Sequence, residues 1–156
     1  METTAENNPD LSRAKKISTS RFGEIEIDKN KLIMMTSPLP GFPDDRFFIL
    51  LPHGPNAPFF WLQSTEKPDL AFIVISPDLV TPQYEPEVSP AVREELQIAK
   101  KQNPEFMIIL TIPPGKPQEM TANLLGPVAY NAEKRLAKQI ILDPKKYDPC
   151  WPIPLK

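Results

Sequence analysis

The sequence predicts a mainly β fold, a small antiparallel β-barrel-like single domain with one short helix. Three observations predict it. First, the chain carries 21 prolines among 156 residues, against a usual share of roughly 5%. They follow short apolar runs, such as Phe47–Leu51 before Pro52 and Phe106–Ile112 before Pro113. Proline has no N–H to give a central ladder, so such runs read as strands ended by turns. Second, Glu24-Ile25-Glu26-Ile27 alternates strictly between polar and apolar, the period of a half-buried strand. Third, only the segment after Pro86 carries convincing helix signals.

In chain order, residues 1–15 are polar and unpatterned and read as a flexible N-terminal tail. Lys16–Ser20 reads as an edge strand leading into Arg21-Phe22-Gly23, and the alternating Glu24–Ile27 follows. Asp28-Lys29-Asn30 is turn chemistry, so Lys31–Met35 is expected to form a hairpin with the strand before it. Pro38–Pro43 is a rigid loop, and Arg46–Leu51 and Phe59–Ser64 are two further strands on either side of His53-Gly54-Pro55-Asn56. After the turn Lys67-Pro68-Asp69, the continuous apolar run Leu70–Ile75 predicts a strand buried on both faces.

The helix is predicted from Ser89, a good N-cap, and Pro90 at the first helical position, where a missing N–H costs nothing. Glu94 and Glu95 lie near the first turn, and Val92, Leu96 and Ala99 space out a buried stripe that Asn103-Pro104 closes. Phe106–Ile112 is a second core strand. Gln118–Leu125 has no clean period, and Pro127–Asn131 with Gln139–Leu142 predict a final hairpin joined by Ala132–Lys138. The domain thus spans 16–143, and residues 144–156 form a Pro-rich, extended C-terminal tail. Its Trp151 is expected to fold back on the barrel, as large aromatics usually do.

Composition narrows the function. A net charge of −2 leaves no footprint for direct nucleic-acid binding, which needs clustered Lys and Arg to displace counterions. A mildly acidic chain suits a basic protein partner instead. The single cysteine, Cys150, excludes an intrachain disulfide. With no apolar run near the ~20 residues a bilayer requires, a cytoplasmic protein with no membrane partner is expected. His53 is the only histidine, so a His-rich metal site cannot be built, and no cofactor is expected. The phosphate-cradling and nucleophile-elbow motifs are missing.

Two other readings follow from the residues. One is a hydrolase using a Cys150–His53 couple or the acidic pairs Asp44/Asp45, Glu85/Glu87 and Glu94/Glu95, which otherwise read as surface charge. The other is a single-strand nucleic-acid barrel that stacks bases on Phe59, Phe60 and Trp61. The favoured reading is a protein-binding surface. Gln83-Tyr84-Glu85-Pro86-Glu87 sets an aromatic among acids on a proline-stiffened loop, which loses little entropy on binding. Tyr84 equally suits a plug at the edge of the core. Met120–Leu125 mixes polar and apolar residues and supplies Asn123.

A series of motifs in one order resembles the family of the flagellar assembly factor FliW. They are Ser20–Ile27, Leu39-Pro40-Gly41-Phe42, Pro58–Ser64, Pro68–Phe72, Tyr84–Glu87, Met120–Pro127 and Lys138–Leu142. The likeness spans roughly residues 17–147 and leaves out both termini. The resemblance implies a small β-barrel in the bacterial cytoplasm without enzymatic activity. It implies binding to flagellin and to the RNA-binding translational regulator CsrA, with allosteric antagonism of CsrA that relieves repression of flagellin translation. Tyr84, Glu85, Glu87 and Asn123 are the residues carried forward as candidate protein contacts.

Overall fold

Strands dominate because the chain alternates apolar runs with proline and glycine breaks too closely for helices to grow. The computed structural model describes residues 14–53 and 58–153. Within them the strands are β1 (Ala14–Thr19), β2 (Gly23–Asp28), β3 (Ile33–Met35), β4 (Phe47–Pro52), β5 (Phe60–Ser64) and β6 (Ala71–Ile75). After the helix α1 (Pro90–Glu95) come β7 (Glu105–Thr111), β8 (Thr121–Ala122), β9 (Val128–Asn131), β10 (Leu136–Gln139) and β11 (Trp151–Pro152). Of the expected N-terminal tail, residues 1–13 lie outside the described residues, and Ala14 and Lys15 open β1.

β3, β4, β5, β6, β7, β9 and β10 close into a seven-stranded barrel. Every neighbouring pair in the ring is antiparallel except β3–β10, which run parallel through Leu136↔Met34 and Ala137↔Met35. Alternate side chains point inward. Ile33, Met35, Phe48, Leu62, Val74, Met107 and Val128 fill the interior, each almost fully buried. Burying side chains of this size contributes about 1.5–3 kcal/mol each.

The outer wall is apolar too, and separate pieces cover it. The hairpin β1–β2 lays Ile17 and Ile27 over Ile49. Its tip is tied down where Ser20 N donates to Pro68 O at 2.9 Å and the Ser20 hydroxyl meets Asp69. The region around α1 packs Leu96 and Ile98 against Ala129 and Ile140. Leu70–Ile75 is covered on both faces as expected, with Val74 inside and Ile75 in a second cluster outside.

Two local expectations are corrected. The Asp28-Lys29-Asn30 turn forms, with Asp28 Oδ1 accepting from Asn30 N at 2.9 Å. It joins two different sheets, however: β2 pairs with β1, while β3 pairs with β4 and β10. The helix begins as predicted, since Ser89 Oγ accepts from Val92 N and Pro90 follows. It stops at Glu95, because Gln97 takes a left-handed conformation (φ 57°) and Ile98 N returns to Arg93 O at 2.8 Å. Ala99 is therefore exposed, and Ile98 takes its place in the core. Buried Asn131 completes this end by donating Nδ2 to Leu96 O at 2.8 Å and to Gln97 O at 3.1 Å.

Candidate functional site

The four candidate residues gather around one break in the barrel wall. β8 and β9 both run along β7, β8 beside Leu110–Thr111 and β9 beside Glu105–Met107. Between them Asn123–Pro127 leaves the ladder. Asn123 holds the break in shape: its N–H donates to Ile109 O at 2.9 Å, and its Oδ1 accepts from Gly126 N at 2.8 Å. Gln139 Nε2 donates to Gly126 O from the other side at 2.9 Å. A Cβ at position 126 would sit 2.9 Å from that Nε2 and 3.1 Å from Asn123 Nδ2, so a side chain there would push these two amides aside.

Tyr84 reaches the same break. Its hydroxyl donates to Leu124 O at 2.7 Å, and its ring meets Tyr147 edge-on at 5.3 Å and Phe106 at 6.4 Å. Burial pushes its phenol well above the usual range, and Tyr147 beside it pushes the same way, so the donor stays protonated. Tyr84 is thus half-buried and acts as a strut. The even choice left open by the sequence resolves towards packing for its ring.

The strut fixes Glu85 and Glu87, which are both exposed on either side of Pro86. Glu85 stands between two clefts. One, of about 510 Å³, is lined by Asp78, Tyr84, Glu85, Pro86, Glu105 and Phe106 among others, and no lysine or arginine lines it. The second, of about 350 Å³, is lined by Glu85, Glu87, Ile141, Leu142, Asp143, Lys146 and Tyr147. Sequence reasoning missed Ile141, which is 70% exposed at the mouth of this cleft. The signal was present: in Ile140-Ile141-Leu142 only alternate residues can turn inward. Here Ile140 is buried and Leu142 half-buried.

The residues of the other readings lie elsewhere. His53 stacks on Trp61 at 5.7 Å and meets Phe59 edge-on at 6.0 Å. Cys150 is exposed beside β11, which is separated from β4 and β5 by β6, β7 and β8. Of the aromatic run, Phe60 is exposed, while Phe59 and Trp61 are half-buried and Arg21 lies over the Trp61 ring at 4.3 Å. Among the described residues no group of three or more His, Cys, Asp or Glu is placed to hold a metal ion. No described helix is long and apolar enough to cross a membrane.

A closed seven-stranded barrel with its clefts on the outer wall, bounded by a stiff acidic loop, defines a small β-barrel protein whose distinctive chemistry is carried by surface loops. The FliW protein family model matches residues 16–153, and the chain belongs to that family. It is 39% identical over 137 residues to the flagellar assembly factor FliW of Magnetococcus marinus, covering 88% of this chain and 83% of that one. The FliW of Thermosipho africanus is 41% identical over 128 residues, with 82% and 88% covered. A crystal structure of the flagellar assembly factor FliW superposes with a TM-score of 0.80 at 35% identity, covering 88% of this chain and 96% of that one.

Proposed function

We propose that this flagellar assembly factor works in the cytoplasm by binding proteins and not by catalysis. Its proposed partners are flagellin and the translational regulator CsrA. Binding CsrA away from its RNA surface antagonises the regulator allosterically and relieves repression of flagellin translation, while flagellin competes for the factor. Reciprocity then requires RNA to weaken the factor's grip on CsrA by the same ratio.

The observation that carries the reading is the exposed pair Glu85 and Glu87, held on a proline-stiffened loop by the Tyr84–Leu124 bond and set beside exposed Ile141. An RNA-binding regulator is basic overall, and such a loop complements Lys and Arg that lie outside its RNA surface. Prior ordering of the loop lowers the entropy lost on binding. In this reading Glu85 and Glu87 steer and pair with basic groups, Ile141 supplies an apolar anchor, and Tyr84 and Asn123 keep the loop in place.

Calorimetric titration with purified CsrA and with flagellin tests it. Glu85→Lys with Glu87→Lys is expected to weaken CsrA binding at least tenfold, mostly through a slower on-rate, and to leave the melting temperature unchanged. Absence of a complex between the unmodified chain and either protein refutes the proposal.

A further inference from the structure

The main sheet ends in one open edge among the described strands, because β8 branches from the closed ring and only β11 lies against it. That cover is the chain's own C-terminal strap, residues 143–153. The strap meets β8 and the residues flanking it at three alternate positions: Ile153 N donates to Met120 O at 3.1 Å, Trp151 pairs with Ala122, and Leu124 N donates to Asp148 O at 3.0 Å. The side chains of Met120, Ala122 and Leu124 are buried in the apolar cluster beneath.

The strap itself holds on lightly. Only Tyr147 and Ile153 pack into that cluster, and residues 148–152 between them are all exposed. None of the described ion pairs ties the strap to the barrel. Pro152 stands between two residues bonded to β8, so its missing N–H faces the far side and blunts the edge against a further strand. Nothing comparable protects the β8 edge itself once the strap lifts.

We propose that the β8 edge is a strand-addition site, occupied in cis by the strap and taken in trans by an extended segment of a partner protein. Backbone hydrogen bonds supply the register, and the pockets now filled by Tyr147 and Ile153 supply selectivity. The strap's own sequence defines the ligand: a proline-containing stretch with an aromatic residue, an acidic one directly after it and an aliphatic one six residues past the aromatic. This site lies beneath the strap and stands independently of the partners named above.

A tethered strap competes at millimolar effective concentration, so the test weakens it. A fluorescent peptide copying residues 143–156 is expected to bind the Tyr147→Ala chain at least tenfold more tightly than the natural chain. Adding Thr121→Cys, Pro152→Cys and Cys150→Ser creates a cross-strand disulfide, which is expected to abolish that binding when oxidised and restore it when reduced. In the natural chain, the Ala122 and Leu124 amides are expected to exchange hydrogen at least tenfold faster than those of β9. Equal peptide binding by all forms, or β8 protection equal to that of β9, overturns the proposal. A dimer of the Tyr147→Ala chain that oxidation of the cysteine pair removes also overturns it, assigning the edge to the strap of a second copy.

Discussion

The barrel has an inner and an outer apolar face, and they are closed by different means. The inner one is sealed by the ring of strands: Phe48, Leu62 and Val74 meet across it and need nothing else. The outer one, around Ile75, Ile108 and Leu110, is finished by non-repetitive pieces, with Val80, Tyr84, Tyr147 and Ile153 laid over it. The lesson is that the ring makes the fold, while the coverings make the surface on which the acidic loop, the two clefts and the strap all lie.

The largest expected effect breaks the inner face. Phe48 is fully buried, and Phe48→Ala is expected to cost about 3–5 kcal/mol, since the ring cannot collapse on the cavity. Denaturant unfolding measures it. An effect below about 1 kcal/mol would mean that the ring is not the stabilising core.

Tyr84→Phe sharpens the contrast on the outer face. It leaves the ring in place and strands Leu124 O, at an expected cost of about 1 kcal/mol. That corresponds to a fall of roughly 2–4 °C in melting temperature for a chain of this size. The raised phenol pKa adds a signature. A group whose pKa is higher folded than unfolded contributes stability below its unfolded value, here 10.0, and loses it as pH rises further. The natural chain is therefore expected to lose more stability than Tyr84→Phe between pH 10 and 11, read from thermal melts.

The smallest effect concerns the pin of α1. Glu95 Oε2 accepts from the Thr36 hydroxyl at 2.5 Å, and its Oε1 pairs with Lys138 Nζ at 2.9 Å. The Thr36 hydrogen bond, then Lys138, hold its carboxyl below the usual range of a glutamate. A lowered pKa contributes stability above the unfolded value and loses it as pH falls through the folded one. Glu95→Gln is expected to be slightly less stable than the natural chain at pH 7, with the gap closing on acidification towards pH 3. A gap that persists at pH 3 would show that packing, not charge, holds α1.

What the sequence revealed follows the same division. Strand positions came from local alternation, and the mainly β barrel with one short helix is the fold observed. Pairing was less legible. The expected β2–β3 hairpin failed because Met34 and Met35 pair with Leu136 and Ala137 far along the chain, which no local turn signal records. The early stop of α1 depends on Gln97 adopting a conformation usually marked by glycine. In the site, the exposed Glu85 and Glu87 could be read directly, whereas the bond from Tyr84 to Leu124 and the wedge of Asn123 against Gly126 exist only through tertiary contact.

The parallel β3–β10 pair has one more consequence, for how this protein comes into being. Met34 waits for Leu136, a partner about one hundred residues later. A nascent chain therefore cannot shut its ring until synthesis has passed Gln139, where β10 ends. Such distant closure belongs among slow folders, on a scale of roughly milliseconds to seconds. Until then the strands made first carry their greasy sides unprotected.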